Sequence, residues 1–205
     1  VTVMVSEEAH KKLSRVYEQQ RHMRERVGSD VSKSLQFFQS VYGPAPVKHF
    51  YATEIPGFHG EAFPGMVHLS WVTFQNTSES GDDEVFRAHE VAHQWWGIGV
   101  DFVSYHDQWL SEGFANFSGL WYLQTVRKDN DKYFDILRRW RGSILLREGE
   151  PGPISLGHRV FASKDDDQET PMQVIYSLRV PASCHPIFTN SFLRRPHSFC
   201  AIPFA

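Results

Sequence analysis

Cysteine is nearly missing from this chain of 205 residues: there are two, Cys184 and Cys200, both close to the C-terminal end. Neither a disulfide framework nor a cysteine-based zinc site follows from such a pair, and compartment cannot be read from it. An excess of positive charge is missing as well. Against 21 Lys plus Arg stand 24 Asp plus Glu, a formal net charge of -3, which leaves no broad basic field for a polyanion and makes nucleic acid an unexpected partner. No apolar run approaches the ~18 residues that a membrane-spanning helix needs, and no basic segment followed by an apolar one opens the chain. Internal repeats and low-complexity tracts are also lacking. What remains is 41% hydrophobic and 14% aromatic content, enough for one soluble, packed domain. Histidine is plentiful, 11 residues, which directs attention to metal-ligand spacing.

Apolar periodicity divides the chain. Ala9, Leu13, Val16, Met23 and Val27 fall on one face of a helix over Ser6 to Val27, with Gly28 as its stop. A second helix is predicted over Asp30 to Tyr42, ended by Gly43-Pro44. Val47 to Ile55 and Met66 to Phe74 are β-branched and aromatic, bounded by Pro56-Gly57 and Pro64-Gly65, and read as strands that form a small sheet with Val1 to Val5. Helical patterns follow over Asp83 to Trp96, Asp107 to Arg127 and Asp131 to Arg147. Residues 177–205 hold no sustained period and are expected not to pack natively. The class implied is α+β: a small N-terminal sheet, then a mainly helical part.

Within the first of those later helices stands His89-Glu90-Val91-Ala92-His93. Residues four apart lie about 40° apart around a helix and one turn along it, so two imidazoles can grip one ion. Glu90 sits beside them, about 100° round the axis from His89, near enough to act on a metal-bound water without ligating. The flanking residues Val85, Phe86, Trp95 and Trp96 are apolar, so these polar groups would be partly buried and in need of partners, and a metal is one. A catalytic zinc takes three protein ligands and an open position. Glu112, at the start of the next helix in Trp109-Leu110-Ser111-Glu112-Gly113-Phe114-Ala115, is the candidate third ligand. Asp107 or Asn116 could orient a ligand histidine through its second ring nitrogen.

His-Glu-Val-Ala-His-Gln-Trp-Trp-Gly at 89–97, the spacer 98–108, then Trp-Leu-Ser-Glu-Gly-Phe-Ala at 109–115 resembles the membrane-alanyl-aminopeptidase family of zinc metallopeptidases, gluzincins with a thermolysin-like catalytic domain. The resemblance runs from about Val47 to Tyr176 and includes Pro153-Ile154-Ser155-Leu156-Gly157. It implies one zinc ion per chain on His89, His93 and Glu112, with Glu90 as general base and proton shuttle. It also implies a catalytic tyrosine that donates a hydrogen bond to the oxyanion, and Tyr176 stands at the family's distance beyond Glu112, although Ser177-Leu178 replace the usual Lys-Gly.

A further departure concerns substrate. Where family exopeptidases carry Gly-x-Met-Glu-Asn, whose Glu grips the substrate's free amino group, this chain has Gly57-Phe58-His59-Gly60-Glu61-Ala62-Phe63-Pro64-Gly65. Glu61 is the candidate amine anchor, lacking the family's Met and Asn. The expectation is a zinc-dependent peptidase acting on peptides, by family an aminopeptidase. The alternatives are a gluzincin endopeptidase or other hydrolase on the same scaffold, or a zinc-binding but catalytically incompetent fragment. Residues 1–176 read as a partial catalytic domain and 177–205 as an atypical tail, with the family's N-terminal β domain and C-terminal helical domain missing.

Overall fold

The structure, a computed structural model, describes residues 1–4, 16–75 and 78–145. Tyr176, the Pro153 to Gly157 stretch, the tail 177–205 and the start of the expected first helix lie outside the described residues. Among the described residues, four strands form one mixed sheet in the order β1, β2, β4, β3, where β1 is Thr2–Met4, β2 Tyr51–Ile55, β3 Glu61–Phe63 and β4 Met66–Ser70. β2 runs parallel to both β1 and β4, pairing Ala52 with Val67 and Glu54 with Leu69; β3 returns antiparallel to β4 and pairs Glu61 with His68. Successive side chains alternate between faces, so Ala52, Val67 and Leu69 turn inward together and are fully buried. The turn between β3 and β4 is Pro64-Gly65. Gly65 has φ 77°, and a side chain there would also press on the His49 carbonyl, so glycine is required.

Two expectations change here. The second long strand ends at Ser70, not Phe74: the Ser70 hydroxyl accepts a hydrogen bond from Val72 N, and Trp71–Phe74 becomes a turn of 3₁₀ helix that buries Thr73 and Phe74. The three-residue β3 was not expected at all. It is too short to show an alternation.

The largest departure is α1, Val16–Tyr42, one continuous helix where two were expected with a break at Gly28. Its buried stripe of Met23, Val27, Val31, Ser34 and Phe38 keeps steps of four and three straight through that position. Gly28 serves packing instead of termination: a Cβ there would stand 3.2 Å from Val3 Cγ2, so the missing side chain lets β1 lie close to the helix. Three more helices follow, α2 Asp82–Ala92, α3 Gln108–Thr125 and α4 Asn130–Leu145. The main core lies between the sheet face, α1 and α2, where Phe38, Phe50, Phe74 and Val91 are buried; a second cluster joins Val85 and Leu120 to Tyr133 and Ile136 of α4. Each such aliphatic or aromatic side chain contributes about 1.5–3 kcal/mol on burial. The architecture is α+β, a small mixed sheet backed by helices.

α2 is also held by charge. Arg87 is completely buried: it donates from Nε to Thr73 Oγ1 (2.8 Å), from Nη2 to the Thr73 carbonyl (2.7 Å) and from Nη1 to Asp30 Oδ2 (2.8 Å). Asp30 Oδ1 accepts from Tyr122 (3.0 Å), and Arg26 reaches the buried Glu84 at 3.2 Å. Burial first, then the Asp30 charge, pushes the Tyr122 phenol well above its usual range, so it stays a donor. The network ties α1, α2, α3 and the 3₁₀ turn together.

Candidate metal centre

α2 begins with Asp82, Asp83 and Glu84, negative charge at the positive end of the helix, behind Gly81 at φ 86°. It ends with His93 as its C-cap, earlier than the expected Trp96, and Gly97 at φ 104° redirects the chain into the loop that leads to α3. One side of α2, Glu84, Arg87, Ala88 and Val91, is spent on the core and the ionic network. His89 and His93 occupy the other side. α3 crosses α2 so closely that a Cβ on Gly119 would stand 2.6 Å from the Val85 carbonyl, and this crossing delivers Glu112 to the two histidines.

Among the described residues, His89, His93 and Glu112 form a group whose ligand atoms all lie within 4.8 Å of one another. His93 Nε2 is 3.0 Å from His89 Nε2, and Glu112 Oε2 is 3.5 Å and 3.7 Å from the two nitrogens. Bond lengths of ~2.0–2.2 Å around a tetrahedral zinc would set ligand atoms roughly 3.3–3.6 Å apart, so this triangle is the right size for one ion. Its donor set, two imidazoles and a carboxylate, suits the same metal. Electrostatics agree. Burial works against a charged His93, yet the hydrogen bond and charge of Glu112 and the charge of Glu90 push its pKa up to about 9. Burial likewise opposes ionisation of Glu112, and the hydrogen bonds to His89 and His93 overcome it, holding its carboxyl below the usual range. The cluster favours positive charge between its three members.

Sequence reasoning looked to Asp107 or Asn116 for the partner of a ligand histidine. The structure gives that task to residues it missed. His93 Nδ1 donates to the Trp96 carbonyl (2.9 Å), and the Ser111 hydroxyl, 3.3 Å from Nδ1, donates to the same carbonyl (2.9 Å). This fixes the tautomer that leaves Nε2 facing the cluster. Asp107 instead accepts from Ser104 (2.8 Å). The acceptor is a backbone carbonyl, which no side-chain type signals.

Glu90 is buried at the foot of a cleft of about 360 Å³ that is also lined by Glu61, His89, His93, Trp96, Gln108 and Glu112. Burial raises its pKa above the ordinary carboxylate value, with the charges of His89 and His93 opposing and those of Glu112 and Glu61 adding to the rise. Gly60 passes so close that a side chain at that position would collide with the Glu90 carboxylate. Glu61 stands at the cleft rim on β3, its side chain 59% exposed and Oε2 4.0 Å from His68 Nδ1. Trp96 stacks on Phe114 at 4.7 Å and meets Tyr42 edge to face, which roots the Trp-Trp of the motif in α1 and α3. His59 and His106 are exposed and stand apart from the cluster.

Residues 69–148 match the family described as Peptidase family M1 domain, a stretch containing both motifs. Among curated proteins, the chain is 30% identical over 121 residues to the tricorn protease-interacting factor F2 of Thermoplasma acidophilum, covering 55% of this chain and 16% of that protein. It is 31% identical over 120 residues to aminopeptidase N of Bos taurus, covering 48% of this chain and 12% of that protein. The chain therefore spans only a small part of the length of these relatives. Among solved structures, a variant of an M1 zinc metallopeptidase from Deinococcus radiodurans superposes with a TM-score of 0.57 at 18% identity, covering 79% of this chain and 33% of that one. At that identity the likeness concerns the fold.

Proposed function

Because residues 69–148 match the Peptidase family M1 domain, we propose that the chain is a member of that family and carries the catalytic centre of a zinc-dependent aminopeptidase with a thermolysin-like catalytic domain. The observation that carries this reading is the triangle of His89 Nε2, His93 Nε2 and Glu112 Oε2, with Glu90 buried beside it in the same cleft. Residues 1–176 are assigned to the catalytic domain and 177–205 to a tail outside it. Two further domains of a longer protein close the cleft.

His89, His93 and Glu112 would hold the zinc, which when bound would supply Lewis-acid activation of water and of the scissile carbonyl. The chain's own residues do the rest. His93 is held in register by Trp96 and Ser111. Glu90 takes the proton of the attacking water, a role that its raised affinity for protons suits, and passes it to the nitrogen of the leaving amine. Tyr176, a phenol that stays protonated near neutrality, donates a hydrogen bond to the oxygen that gains negative charge. Glu61, at the rim, is assigned the free α-amino group of the peptide.

In the full-length protein, Glu90→Gln is expected to keep stoichiometric zinc and to lower turnover of an aminoacyl-arylamide by roughly 10²–10⁴-fold. Undiminished turnover overturns the assignment of the base. Acetylating the N-terminus of a peptide substrate is expected to abolish its hydrolysis; continued cleavage points to an endopeptidase.

A further inference from the structure

Gln94 follows His93 directly and is completely buried. A buried primary amide is costly unless both its ends are paired. Here both ends are used, and both on main chain: Oε1 accepts from Gly65 N (2.8 Å) and Nε2 donates to the Phe63 carbonyl (2.9 Å). The side chain thus reads the β3–β4 turn as a neighbouring strand would, one donor and one acceptor across Pro64. Nothing in the metal cluster or in the proposed chemistry needs such a group. Its effect is to fasten the hairpin to the end of α2.

The hairpin meets α2 a second time at its other end. β3 is three residues long and, among the described residues, pairs with β4 alone and forms one edge of the sheet. Such a strand has little pairing of its own to fix its distance from the helix. Immediately before it, Gly60 lies against the Glu90 carboxylate with no room for a Cβ. Glu90 and Gln94 are one turn of chain apart. Two contacts, Gly60 on Glu90 and Phe63 to Gly65 on Gln94, therefore bracket Ala62 and hold β3 to the same turn that supplies Glu90 and His93.

The geometry points to Gln94 as a positioning residue: by fastening the β3–β4 turn at Phe63 and Gly65, its amide keeps Gly60 packed on Glu90 and so confines that carboxylate within the cleft. The consequence for turnover rests on the assignment of Glu90 as general base; the consequence for structure does not. Loosening the hairpin frees the Glu90 side chain to leave the orientation that chemistry requires, and misplacement of about 1 Å can cost as much as 10²-fold in rate.

The test uses the full-length protein and the variants Gln94→Leu, which removes both hydrogen bonds at similar volume, Gln94→Glu, which keeps only an acceptor, and Gly60→Ala. Zinc content is expected to be unchanged in all three. In Gln94→Leu, exchange of the Gly65 amide proton should rise by roughly tenfold or more relative to neighbouring β4 amides, and kcat should fall by about 10- to 100-fold. Gly60→Ala should lower kcat by pushing on Glu90 directly. Combined with Gln94→Leu it should cost less than the product of the two single losses, because a released hairpin can yield to the added methyl. Losses that multiply, or a crystal structure of Gln94→Leu in which Gly60 still packs on Glu90, overturn the proposal. Should Gln94→Leu not fold, Gln94→Glu carries the same comparison. Zinc-loaded wild type without turnover defeats the peptidase reading alone, since amide exchange and the variant's structure still decide the role of Gln94.

Discussion

His93 uses both ring nitrogens: Nε2 joins His89 and Glu112, and Nδ1 is held by the Trp96 carbonyl beside Ser111. The two sides of the ring make separable predictions. His93→Ala removes a proposed ligand and is expected to leave the chain unable to retain zinc through dialysis, read by metal analysis. Ser111→Ala keeps all three ligands and the Trp96 carbonyl but removes the hydroxyl that crowds around it. Zinc should still bind, about 10-fold more weakly in chelator competition, as for other outer partners of metal ligands. Equal affinity in the two proteins would mean that the carbonyl alone orients the ring. At this scale the pair His89 and His93 was legible because i, i+4 geometry is a local rule. Glu112 needed more: its spacing from His93 crosses a loop, and its role came from resemblance to a family. The partners of His93 were illegible, since a backbone carbonyl has no residue type.

At the scale of elements, α2 is positioned by a buried ionic network that composition concealed. Asp30 and Arg87 stand far apart in sequence, and charged residues default to the surface, so neither drew notice. Among the described residues, Arg87→Met leaves the buried Asp30 carboxylate with Tyr122 and with Arg127 at 3.7 Å, and breaking a buried pair in this way costs about 3–5 kcal/mol. Arg26→Ala is the contrast. Its side chain is 45% exposed and Arg127 also approaches Glu84, at 3.9 Å, so the loss should stay within about 1 kcal/mol. Denaturant unfolding of both variants checks the ordering, and equal losses would show that the network does not hold α2. The helices themselves were legible from their apolar spacing, to within a few residues. The expected break in α1 failed at Gly28 because a glycine chosen for close approach of β1 looks the same in sequence as one chosen to stop a helix. β3 failed for lack of length.

For the molecule as a whole, the proposed metal ligands and Glu90 come from α2 and α3, whose crossing is sealed by Gly119 and by the cores on either side. Nothing in that arrangement calls on a further domain. Turnover is different, because on the proposed reading it needs Tyr176, the walls of the cleft and the domains that the relatives' greater length implies. Metal binding and catalysis should therefore separate when the 205-residue chain is compared with the full-length protein. The chain alone is expected to bind one zinc, and free zinc at a thousand times its Kd should stabilise the fold by about 4 kcal/mol. That gain appears as a higher melting temperature and vanishes in His93→Ala. Hydrolysis of an aminoacyl-arylamide by the same zinc-loaded chain should fall at least 10²-fold below that of the full-length protein, the scale of loss when reacting groups are not held in place. Zinc that fails to raise the melting temperature of the chain would place part of the metal site elsewhere. Full activity in the chain would remove any catalytic need for the additional domains.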